Sequence, residues 1–166
     1  TNKKSSQTIS STNLGHAKYL FIVESPSKCA KIEHFLGAEY CCISSKGHIR
    51  TIEGLKSIDT KDSFVPTFTI INEKREHVDE MTKIISRFSS SNIFIATDDD
   101  REGEAIGWHI CMQFNLPVET TKRVLFHEVT KEAIQLCVKT PILINMNVVH
   151  AQHARQVLDI LVGYKI

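Results

Sequence analysis

Ile93-Phe-Ile-Ala-Thr-Asp-Asp-Asp-Arg-Glu-Gly-Glu-Ala-Ile-Gly-Trp-His-Ile110 changes character twice. Ile93 to Ala96 is a short apolar run of the kind that forms a buried strand. Ile106, Ile110 and Phe114 then recur at helical spacing. Between strand and helix stand Asp98, Asp99, Asp100 and Glu102. A strand that breaks into acids and then into a helix puts those acids at its carboxyl end. Open α/β sheets carry their sites there.

Asp98, Asp100 and Glu102 are spaced by two. In an extended or turning segment, alternate side chains share a direction. Converging carboxylates repel unless a hard cation neutralises them, and Mg2+ takes a few carboxylates while keeping several waters. The same residues also suit a helix start, with Asp100 as N-cap and Glu102 and Glu104 at the positive end. Both roles stay open.

A second strand end lies upstream. Tyr19-Leu-Phe-Ile-Val23 is apolar and ends in Glu24-Ser-Pro-Ser-Lys28, where Pro26 suits the start of a helix. If the two strands are parallel neighbours, Glu24 meets the Asp98/Asp100/Glu102 cluster. The rest of the chain alternates strand and helix from about residue 18 to 140. Strands are expected over 40–43, 66–71 (a short edge strand) and 122–126. Helices are expected over 27–36, 73–88, from 130 and over 148–163, with 51–65 a loop. That alternation predicts an α/β sandwich with a mainly parallel central sheet flanked by helices.

Four stretches carry a resemblance: Ile-Val-Glu-Ser-Pro-Ser-Lys28, Ser-Ser-Lys-Gly-His-Ile-Arg50, Ala-Thr-Asp-Asp-Asp-Arg-Glu-Gly-Glu-Ala-Ile106 and Phe-His-Glu-Val-Thr-Lys131. In that order they resemble the amino-terminal Toprim domain of type IA DNA topoisomerases, over about residues 18–163. The Glu-Ala-Ile-Gly-Trp-His wording is similar to the topoisomerase I branch. The resemblance implies a Rossmann-like Toprim sandwich over 18–140, before the start of a further helical domain at 141–166; the polar composition ahead of it, rich in Ser, Thr, Asn and Gln, predicts a disordered tail at 1–17. It implies an isomerase that cuts one DNA strand with a tyrosine, passes a strand and reseals. Glu24 then takes the acid–base role, Lys28 faces the phosphate and Arg101 is a further catalytic contact. Asp98 and Asp100, with Glu24 and Glu102, bind Mg2+. Lys28, Lys46, His48, Arg50, Arg155 and Asp159 contact DNA. Tyr19, Tyr40 and Tyr164 lie outside the family's tyrosine motif, so the chain reads as a fragment of a longer enzyme.

Two other classes fit parts of the pattern. A stand-alone Toprim nuclease or primase-like phosphotransfer domain would use the same acids. A non-catalytic nucleic-acid interaction module would have no reason to keep mutually repelling carboxylates. Net charge is +1 over 166 residues, so DNA binding has to come from local patches. The partner expected is single-stranded or underwound DNA, reached through the intact parent, with the chain a monomer. Five scattered cysteines without a C-x-x-C pair argue against zinc and for reduced thiols inside the cell. No apolar run approaches a membrane span and no secretory signal is visible.

Overall fold

A computed structural model of the chain describes residues 15–61 and 65–163. Most of the tail expected at 1–17 lies outside them, as does Tyr164. Ala17, within that range, packs against the core.

Four strands form one sheet: β1 (Tyr19–Val23), β2 (Tyr40–Ser44), β5 (Ile93–Ile95) and β6 (Lys122–Arg123), in the order β2-β1-β5-β6. All three pairings are parallel. Parallel strands are covered on both faces and therefore read as unbroken apolar runs. Leu20, Phe21, Ile22 and Val23 are all fully buried. Full burial of each contributes about 1.5–3 kcal/mol. The pleat divides them between two cores. Leu20 and Ile22 face a cluster with Met81, Ile106 and Ile110, whereas Phe21 and Val23 face one with Ile32 and Ile134.

Those partners come from helices on opposite faces. α1 (Cys29–Leu36) and α4 (Lys131–Lys139) cover one; α2 (Arg75–Ile85) and α3 (Arg101–Gln113) cover the other. α5 (Met146–Gly163) packs along α3 and contributes Val149 to the core that holds Met81 and Ile106. The segment leading to it is tied to the sheet, because Ile142 and Arg123 exchange both backbone hydrogen bonds at 2.7 Å.

Three expectations change in detail. β6 is shorter than 122–126, although the Val124 N–H still reaches the Ile95 carbonyl (2.9 Å). The edge strand expected at 66–71 stays off the main sheet. It is reduced to β4 (Thr69–Ile70), which pairs antiparallel with β3 (Arg50–Thr51) as a separate ribbon. The loop at 51–65 is partly ordered by that ribbon, through an Ile58–Pro66 bridge and a Thr67 N–H to Ser57 carbonyl bond of 2.7 Å. The strand order reverses direction between β1 and β5, and ligands of open α/β sheets bind at such switch points.

Candidate active site

β1 and β5 are neighbours, and both expected acidic strand ends emerge at the switch point. The Asp98 N–H donates to Glu24 Oε1 at 2.8 Å. Lys28, one turn beyond Glu24, places Nζ 3.2 Å from Asp98 Oδ1, with both side chains partly exposed. Asp100 caps α3: its Oδ1 accepts from the Gly103 N–H at 2.6 Å. The cap reading of Asp100 is therefore realised beside the carboxylate cluster.

Glu24 holds its proton more tightly than an ordinary glutamate. Desolvation by burial is the largest cause; the Asp98 N–H opposes it, and the charges of Asp98 and Asp100 add to the rise. Two further acids therefore act on Glu24 at this point. The loop after β2 closes over Glu24 from the other side. Its carbonyl accepts from Ser44 Oγ (2.7 Å) and the Gly47 N–H (3.1 Å). Lys46 sits there at φ 54° and Gly47 at φ 81°, a left-handed pair that turns the loop sharply. The Lys46 carbonyl accepts from Lys74 Nζ, and the Ser44 carbonyl from His77 Nε2 (2.7 Å).

The carboxylates suit a hard cation in donor type and in mutual repulsion. Yet Glu24 Oε1, Asp98 Oδ1 and Asp100 Oδ1 each already hold a protein donor. Among the described residues no three His, Cys, Asp or Glu side chains converge as a ready-made metal cluster. The set thus fits an ion that keeps most of its water and draws on the carboxylates' remaining oxygens. Glu102 lies exposed on the first turn of α3. With Asp100, Arg101, Arg155 and Asp159 it lines a polar cleft of about 630 Å3 beside α5. Arg50 stands elsewhere, over the rings of Phe68 and Trp108. His48 lies half-buried in the loop between the two regions.

Two supporting residues are not evident from the sequence. Arg123 is fully buried in β6; its Nη2 donates to the Asp98 carbonyl (2.8 Å) and its Nη1 lies 3.1 Å from Glu104 Oε1. The Nη1 contact is electrostatic rather than an aligned hydrogen bond. Glu104 Oε2 in turn accepts from the Asn145 N–H (3.1 Å), joining α3 to the segment before α5. Gly103 is the second: a Cβ there would stand 1.8 Å from the Asp98 carbonyl oxygen. A charged residue in a two-residue strand and a glycine inside a helix are the only signals the sequence offers.

DNA topoisomerase 1 of Campylobacter jejuni is 42% identical to this chain over 153 residues, which is 90% of the chain and 21% of that protein. The solved full-length topoisomerase I of Thermotoga maritima superposes with a TM-score of 0.78 at 38% identity, covering 87% of this chain and 24% of that one. The chain thus spans about a fifth of the curated relative and a quarter of the solved one. No helix of the described residues is long and apolar enough to cross a membrane. The Toprim domain model matches residues 19–129, which run from β1 through both acidic strand ends to just beyond β6, and the chain belongs to the Toprim domain family.

Proposed function

We propose that this chain is the acid–base and metal-binding part of a type IA DNA topoisomerase, acting on single-stranded or underwound DNA within the cell. The observation that carries the reading is the junction of the two strand ends. Glu24 is held against Asp98 by a backbone hydrogen bond, with Lys28 on the same carboxylate.

In the parent enzyme a deprotonated tyrosine oxygen attacks the phosphorus of one strand and the 3′ oxygen departs. Glu24, kept protonated by burial and by its acidic neighbours, donates its proton to that oxygen. On resealing, the Glu24 carboxylate takes the proton back from the 3′ hydroxyl as the tyrosine leaves phosphorus. Lys28 exchanges Asp98 for the phosphate, and Arg101 adds a second cation at the edge of the polar cleft. Asp98 and Asp100, with Glu24 and Glu102, would hold Mg2+, whose positive charge would offset that of the phosphate oxygens. Lys46 and His48 approach the strand from the β2–β3 loop, and Arg155 and Asp159 from α5.

The test is single-turnover cleavage and religation by the full-length enzyme over a pH series. Glu24→Gln is expected to slow both steps by about 100-fold or more, in line with loss of a positioned proton donor. Asp98→Asn is expected mainly to raise the Mg2+ requirement. If Glu24→Gln keeps near-normal rates and only shifts the Mg2+ dependence, the proton-transfer role is lost and Glu24 is a metal ligand.

A further inference from the structure

Beside the polar cleft along α5, the β3–β4 ribbon, α3 and α5 enclose an open cleft of about 870 Å3. Its polar character differs from that of the first cleft. Asp100, Glu102 and Asp159 line the one beside the carboxylates, whereas no acidic side chain lines this one. Three aromatic rings meet in it. Phe68 and Trp108 stand edge-to-face with centroids 5.9 Å apart, and Trp108 and His153 likewise at 4.8 Å. The Arg50 guanidinium carbon lies 5.6 Å from the centroids of both Phe68 and Trp108. Arg50 enters no ion pair among the described residues, so the ring faces are what its charge meets there.

The polar atoms of this box are also unsatisfied. His153 is 9% exposed, and its Nε2 has no hydrogen-bond partner; the same holds for the buried Nε of Arg50. Burial and the neighbouring His150 and Arg50 push the His153 pKa down to about 4, so the ring is neutral near pH 7. The cleft thus offers aromatic rings and one cation, behind which lie a guanidinium and an imidazole nitrogen without hydrogen-bond partners. An apolar helix, its carbonyls bonded within itself, would fill the Val157 and Leu158 wall yet bring no acceptor to Arg50. A base attached to a phosphate supplies a flat π-face, carbonyl or ring-nitrogen acceptors, and negative charge together.

We infer that this cleft binds an unpaired nucleobase of a DNA strand, stacked against Trp108 and Phe68, with Arg50 donating to a carbonyl or phosphate oxygen of that nucleotide. It is a second nucleotide site, separate from the phosphate-handling carboxylates and linked to them by residues 45–50. The inference rests on DNA being the partner, but its test involves no bond chemistry. Trp108 is the sole tryptophan of the chain and reports stacking directly.

The experiment is a fluorescence titration of the chain, in chelator and therefore without metal, with a thymidine octanucleotide and with an abasic strand of equal phosphate count. The base-bearing strand should quench Trp108 saturably and bind roughly tenfold more tightly than the abasic one, as base–aromatic stacking predicts. Arg50→Gln, checked for folding by circular dichroism, should weaken the base-bearing strand by a similar factor. In the unsubstituted chain, the Trp108 indole and His153 ring resonances should move on binding. Equal binding of the two strands would overturn the proposal, as would unchanged affinity in Arg50→Gln. Absence of quenching while an apolar helical peptide shifts the same resonances would overturn it too, and would make the cleft a protein-docking surface. None of these failures touches the Glu24→Gln result, and failure of the Glu24 reading leaves this titration unaffected.

Discussion

Opposing influences meet at Glu24, and the upward ones prevail. Its folded carboxyl therefore keeps a proton above the ordinary 4.5, and the native state loses stability as pH rises through that raised value. Glu24→Gln still accepts from the Asp98 N–H but carries no charge. It should unfold at higher urea than the unsubstituted chain near neutral pH, with the difference closing below a pH of about 4. Histidines act with the opposite sign. Burial holds His109 at about 3 and His153 at about 4, below the ordinary 6.5. The unfolded chain then takes up protons that the native chain refuses, so stability present above 6.5 is lost as pH falls through it. Urea midpoints measured at neutral and mildly acidic pH should diverge, and His153→Gln should narrow the gap. At Asp100 the cap outweighs repulsion from its neighbours: Asp100→Ala should cost about 1 kcal/mol. Asp98→Asn should change stability by less than about 1 kcal/mol, because its pair with Lys28 is part-exposed. The cap role of Asp100 is legible in the sequence because a cap is a local pattern.

α3 is the element on which the site depends. Its first turn presses against the strand end, and Gly103 permits that approach. Gly103→Ala would drive a Cβ into a backbone carbonyl with no flexible side chain to yield. A loss of at least about 3 kcal/mol, or failure to fold, is expected in urea unfolding. The same turn is tied to β6 through Arg123 and Glu104. Arg123→Ala should cost about 3–5 kcal/mol, because it strands a buried carboxylate, whereas an apolar replacement of both partners should recover most of it. Elements differ in how far the sequence reveals them. β1, β2 and β5 are plain as unbroken apolar runs because both faces of the sheet are covered. β3 is hidden, because it is two residues long and does not alternate; β4 falls within the edge strand expected at 66–71, but its pairing with β3 instead of the main sheet is not legible. The second cleft is hidden for a related reason. Arg50, Phe68, Trp108 and His153 come from four distant segments that share no spacing, and only the packing of α5 on α3 unites them.

Seen whole, the molecule keeps its described tyrosines away from its acids. Tyr19 and Tyr40 open β1 and β2 and stack on each other with centroids 4.9 Å apart. Glu24 follows five residues later, about 16 Å along the strand. No described tyrosine hydroxyl can therefore attack a phosphate held at the carboxylates. The purified chain should leave supercoiled DNA unrelaxed in a gel assay, with or without Mg2+, and should bind single strands weakly and less so in salt. The placement of β1 between β2 and β5 has a further consequence, during synthesis. β2 is made within some twenty residues of β1, but β5 follows only after about fifty more. Until then one edge of a wholly apolar strand stays open on the ribosome, with hydrogen-bonding groups bare along it. The growing chain passes through a stage that other nascent chains can pair with, and a chaperone that shields β1 until residue 95 has emerged would raise the yield of native protein.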